Sequence, residues 1–177
     1  WIYLLPSAFV EFSKSILYSL GFSSNFYFWY SGQLYGDQSA LYKPFLHTWS
    51  LSVEEQFYII FPIILLITFK YFKKYLGFLL ILIFVVSLSL AEWGSRNYPS
   101  ATFYFLYSRI WELLAGSILA YFETNLGHRG KQSILNQIFP IIGLILIGHS
   151  ILLFNNKMFH PSLLSLYSIF GVCMIIS

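Results

Sequence analysis

The sequence predicts an all-α, multi-pass integral membrane helix bundle with about six spans. Composition is the first ground. Of 177 residues, 58% are hydrophobic and 10% are charged, where soluble domains carry about 25% charged residues. Mean hydropathy is +0.69. Aromatic content is the second ground: 19 Phe and 14 Tyr suit lipid-facing surface with interfacial belts. The third is spacing, because the apolar residues fall in runs of roughly 20, the length an α-helix needs to cross the hydrocarbon core.

In chain order, the candidate spans are residues 7–29, 49–69, 75–93, 101–122, 138–154 and a last one from 163 onward. The first is interrupted by Ser and Asn and carries Glu11 and Lys14 near its start. Between the second and third lies "KYFKK", and between the fourth and fifth "ETNLGHRGKQS". These two linkers hold Lys70, Lys73, Lys74, Arg129 and Lys131, against Lys43, Arg96 and Lys157 on the other side. The positive-inside rule then places "KYFKK" in the cytoplasm and the aromatic loop 30–44 outside.

No soluble domain, internal repeat or low-complexity tract interrupts this pattern. The formal charge of +3 is too small and scattered for a nucleic-acid partner. Cys173 is the single cysteine and sits in an apolar run, which leaves no disulfide framework; no metal is expected. The N-terminus has neither Met nor a basic segment before its apolar stretch, so it is not read as a signal peptide. The chain is expected to start partway through a longer protein.

Ionisable groups at membrane depth are costly and call for a reason. The second span opens with His47, Ser50, Glu54 and Glu55. Ser50, Glu54 and Tyr58 are spaced four apart and share one helix face, with His47 one turn earlier. A carboxylate and an imidazole on one desolvated face could share a proton and do acid–base work. Ser52 and Glu55 fit the S-x-x-E capping box, which gives Glu55 a structural role that Glu54 lacks. In the fourth span, Arg109 and Glu112 form an i,i+3 pair, either a structural ion pair or a polar cavity wall. Gly116 and Ser117 after them are expected to mark close helix packing. His149 is expected to be a hydrogen-bonded packing residue. Glu54, Arg109, Glu112 and His149 are expected at one depth, lining a hydrated pocket that opens outward.

The block "LHTWSLSVEEQFYIIFP" closely resembles the signature of the acyltransferase 3 family, the membrane O-acyltransferases that include O-antigen and other cell-surface acetylases. "SLGFSSNFYFWYSGQLYG" upstream and "FYFLYSRIWELLAGSILA" downstream resemble it in the same order, so the likeness covers most of the chain. It looks most like the subgroup that often adds a C-terminal SGNH-type hydrolase domain, of which nothing is present. Residues 1–177 would then be part of the transmembrane domain. The resemblance implies transfer of an acyl group, usually acetyl, from acyl-CoA to a hydroxyl of a cell-surface or lipid-linked glycan in the bacterial inner membrane. By position, Glu54 is the acidic residue of the family's WSL-x-VE core, with Trp49 and Ser50 beside it. Glu54, His47 and Ser50 are the catalytic candidates, and Arg109 and Glu112, matching R-x-W-E, join Trp49 as candidates for substrate binding. The family's Arg-then-His pair, with its favoured catalytic base, would lie upstream of Trp1, which leaves a supporting half of a site. A transporter or flippase, with discontinuous helices around Pro62 and Pro140, and an inactive fragment are the competing interpretations.

Overall fold

The computed structural model describes residues 6–32, 43–126, 134–153, 161 and 163–176. Most of the predicted outer loop 30–44 falls outside these, as do Arg129, Lys131 and Lys157. Among the described residues there are eight α-helices and no strand: α1 (Pro6–Leu20), α2 (Ser24–Ser31), α3 (Thr48–Tyr71), α4 (Leu76–Asn97), α5 (Pro99–Tyr104), α6 (Ile110–Leu126), α7 (Ile134–Leu153) and α8 (Leu166–Ile176). Two segments, Thr48–Tyr71 and Lys73–Asn97, are long and apolar enough to cross a membrane, with mean hydropathies of 1.6 and 2.3. In an 18-residue apolar window of each, 22% of the residues are buried, so most of its side chains face outward, as lipid contact requires. Ile138–Leu152 and Leu163–Ile176 are shorter apolar helices.

Two of the six predicted spans are not continuous. The first breaks after Leu20, where α1 ends in a Schellman turn: Ser23 N–H donates to Tyr18 O (2.9 Å) and Phe22 N–H to Ser19 O (3.2 Å). Phe22 holds the left-handed position at φ 50°, which Gly would occupy without steric cost. The fourth breaks between α5 and α6, and side-chain hydroxyls take up the backbone groups freed there. Ser87 Oγ donates to Tyr107 O (2.6 Å) and accepts from Trp111 N–H (3.2 Å), and Ser108 Oγ donates to Thr102 O. Pro62 and Pro140, by contrast, lie inside continuous helices, so neither makes the discontinuity a transporter was expected to show.

The described chain forms two compact units, Trp1–Ile64 with Tyr104–Leu106, and Leu65–Phe103 with Tyr107–Ser177. In the first, α2 buries Phe28, and its Phe26 and Trp29 rings meet Phe105 at 5.4 and 4.8 Å. In the second, α4 packs on α6 and α7 on α8. Trp111 is fully buried, edge-on to Phe84 at 6.0 Å. Between α4, α6, α7 and α8 lies a cavity of about 550 Å³ whose lining includes Ile81, Phe84, Ile118, Phe139, Ile169 and Cys173. It contains none of the predicted polar residues.

Close packing of helix backbones is not found at Gly116, where an added Cβ would meet nothing within 4 Å. Exposure there, not packing, corrects the expectation. Close packing lies between Gly143 of α7 and Gly171 of α8, where backbone meets backbone: a Cβ on Gly143 would sit 2.4 Å from Gly171 O, and one on Gly171 2.8 Å from Gly143 O. Backbone cannot yield as a side-chain tip can, so Gly143→Ala and Gly171→Ala should each cost about 1–3 kcal/mol, read as a lower melting temperature in detergent. Gly148→Ala, whose Cβ would meet nothing within 4 Å, should leave melting unchanged or raise it.

Candidate functional site

The predicted catalytic block is the start of α3, and hydrogen bonding there divides it by face. The helix begins at Thr48, so Ser52 lies a full turn inside it and cannot serve as its N-cap. The Ser52–Glu55 capping box expected from sequence is therefore absent. Ser52, 2% exposed, instead shares a 2.7 Å hydrogen bond with Ser24 Oγ and accepts from Ser24 N–H (3.3 Å). Ser24 Oγ also donates to Thr48 O (2.8 Å), and Ser19 and Thr48 hydroxyls lie 2.8 Å apart. In an apolar setting such hydroxyl pairs hold helices together where hydrophobic contact cannot discriminate between partners.

One turn on, Gln56 Nε2 donates to Phe22 O (2.8 Å) and to Asn25 Oδ1 (3.0 Å). Asn25, fully buried, donates from Nδ2 to Tyr104 O (3.1 Å). The ring of Trp49 stands edge-on to that of Tyr104 at 5.3 Å. Val53 and Phe57 are buried on the same side, and Phe57 stacks on Phe61 at 4.8 Å. Trp49, Ser52, Val53, Gln56 and Phe57 thus form a packing face. Trp49, predicted to bind substrate, is held there by Tyr104.

The remaining residues of the block are differently placed. His47 is exposed in the turn before α3, its ring 6.0 Å from that of Phe45. Ser50 Oγ donates to His47 O (3.2 Å), so these two predicted residues meet through backbone and not through the imidazole. Glu54 and Glu55 are half-buried, and among the described residues neither carboxylate has a hydrogen bond or ion pair. At about 100° per residue, Glu54 lies about 200° around the helix from Gln56, away from α1 and α2.

The second unit holds Arg109 and Glu112. They do not lie within a continuous span as predicted but at the start of α6, with Glu112 in its first turn. Glu112 N–H donates to Arg109 O (3.1 Å), and Arg109 Nη1 lies 3.3 Å from Glu112 Oε2. The side chains are 20% and 26% exposed. Glu112 suits the positive helix end; Arg109 would oppose it but for this pairing and the Phe103 ring, 5.3 Å from its guanidinium carbon. His149 is exposed on α7 and meets the Tyr167 ring at 6.0 Å.

Sequence reasoning missed Asn25, Ser24 and Gln56. Their signal was present: three polar residues, each within or beside an apolar run, must find partners when buried.

Membrane-length helices that carry this polar block define a class of membrane protein, and comparison with known proteins makes it specific. The chain belongs to the acyltransferase 3 family, whose acyltransferase domain it matches over residues 3–177. It is 34% identical over 157 residues to an uncharacterised protein of Haemophilus influenzae, covering 84% of this chain and 63% of that one. It is 32% identical over 125 residues to the peptidoglycan O-acetyltransferase OatA of Listeria monocytogenes, covering 68% and 20%. A Staphylococcus aureus protein provisionally named an O-acetyltransferase is 35% identical over 118 residues, covering 63% and 19%. The chain thus spans less than two thirds of the length of each of these relatives. No solved structure matches it.

The packing face yields a sharp test. Both partners of Gln56 Nε2 are acceptors, so Gln56→Glu keeps the shape, loses both hydrogen bonds and sets a carboxylate against two oxygens. It should destabilise the protein by about 2 kcal/mol at neutral pH. Because a protonated Glu regains one donor, the loss should shrink as pH falls, as followed by thermal melting at two pH values.

Proposed function

We propose that the protein is a membrane O-acyltransferase that moves an acyl group, acetyl in the first instance, from acyl-CoA to a hydroxyl of a cell-surface or lipid-linked glycan. Family membership supports the reaction class, and the name of the Listeria relative supports a glycan acceptor. The setting proposed is a multi-pass protein of the bacterial inner membrane.

The observation that carries this proposal is the idle carboxylate of Glu54. Ser52, Val53, Gln56 and Phe57 are occupied in packing, whereas Glu54, like Glu55 beside it, is half-buried with no hydrogen bond or ion pair among the described residues. The match of Glu54 to the acidic residue of the family's WSL-x-VE core favours it over Glu55 for a proton-handling role. In acyl transfer a base removes the acceptor hydroxyl proton, the oxygen attacks the thioester carbonyl, and CoA leaves as its thiol. Glu54 is assigned to support that proton transfer, with His47 and Ser50 in the adjoining turn. Arg109, held by Glu112, is assigned to bind negative charge on a substrate, whereas Trp49 is assigned to packing against Tyr104.

In the full-length protein, Glu54→Gln should lower acylation of the surface glycan by about 100-fold or more with membrane abundance unchanged. Quantifying released acetate against immunoblotted protein checks this. Wild-type acylation in that variant would remove Glu54 from the mechanism.

A further inference from the structure

We propose that the connector between α3 and α4 is a binding site for the phosphate headgroups of anionic membrane lipids. Residues 70–75 read Lys-Tyr-Phe-Lys-Lys-Tyr, and each of the six is exposed. Lys70 and Tyr71 close α3, and Lys73–Tyr75 form a single 3-10 turn that leads into α4. The turn satisfies its own backbone: Phe72 N–H donates to Thr68 O (2.7 Å) and Tyr75 N–H to Phe72 O (2.8 Å). The side chains are therefore presented from an ordered frame.

Two features show what this surface fits. The first is uncompensated positive charge. Among the described residues none of Lys70, Lys73 and Lys74 is in a salt bridge, and α4 has no acidic residue in its first turn. Two ammonium groups stand at the positive end of a helix dipole, which their charge opposes and an anion would relieve. Glu123 is the carboxylate of the neighbouring α6 at this end, two residues past the Tyr121 that packs on Gly77, and it forms no salt bridge among the described residues.

The second feature is the aromatic rings. Tyr71, Phe72 and Tyr75 are 64%, 58% and 58% exposed, an apolar surface that water alone covers poorly. Lys70 Nζ lies 5.2 Å over the Tyr71 ring. Alternating rings and ammonium groups at the junction of two membrane-length segments match the headgroup layer, where rings lie at the apolar boundary and cations reach phosphate. A soluble phosphate compound such as coenzyme A would satisfy the lysines and stack its adenine on one ring, but it offers no apolar layer for three rings spread along the connector. A lipid satisfies both.

The test uses the full-length protein in nanodiscs with graded phosphatidylglycerol against phosphatidylcholine, read as retained lipid by native mass spectrometry. Wild-type protein should retain phosphatidylglycerol preferentially. Lys70→Gln/Lys73→Gln/Lys74→Gln should reduce that preference roughly 100-fold, at on the order of five-fold per lysine. The triple Arg variant should keep it, and excess coenzyme A should not displace the lipid. An unchanged preference in the triple Gln variant would overturn the proposal. Displacement by coenzyme A would overturn it too, by assigning the cluster to a soluble phosphate ligand.

Discussion

The amide of Gln56 sets the geometry of the first unit. It reaches Phe22 O at the Schellman turn and Asn25 Oδ1 on α2, while Asn25 reaches Tyr104 O. With Ser52 tied to Ser24 one turn earlier, two adjacent turns of α3 are pinned to α2 and the turn that precedes it. Against an apolar background, greasy contact permits many helix rotations, but directional hydrogen bonds permit few. A slip of one residue would turn α3 by about 100° and strip partners from a buried asparagine and serines. The strain of a left-handed Phe22 fits this picture, because the turn it makes presents the carbonyl that Gln56 requires.

Rotation fixed in this way also fixes what α3 does not use. Glu54 is two residues from Gln56, so anchoring one turns the other away. The same geometry explains why the family signature is so dense in polar residues. Thr48, Ser52 and Gln56 are there for helix packing, and Glu54, Glu55, His47 and Ser50 remain for other work. The tight glycine contact between α7 and α8 and the Ser87 plug beneath Trp111 play the corresponding parts in the second unit.

Helix content and the two long apolar segments were legible in the sequence because run length and hydropathy report directly on what a bilayer accepts. The interruptions were not. The Ser and Asn that interrupt the first run hinted at the break after α1, but apolar runs look continuous whether or not the backbone turns, and side-chain hydroxyls repair the breaks locally. The capping-box motif misled for a related reason. Ser52 and Glu55 have the right spacing, but α3 starts at Thr48, and spacing alone does not locate a helix start. Glu54 was legible as a residue that capping could not explain. Its separation from Gln56 around the helix was readable from period alone, but that Gln56 is the anchor required knowing where Phe22 and Asn25 lie.

The central claim is that one face of α3 holds the fold and the other serves the chemistry. An alanine scan of residues 47–58 in the full-length protein, scored for membrane abundance and for acyl transfer, measures both faces at once. Trp49, Ser52, Val53, Gln56 and Phe57 should lose abundance in step with helical period, and Glu54 should lose transfer at full abundance. Loss of abundance at Glu54, or loss of transfer at full abundance across the packing face, would contradict the account.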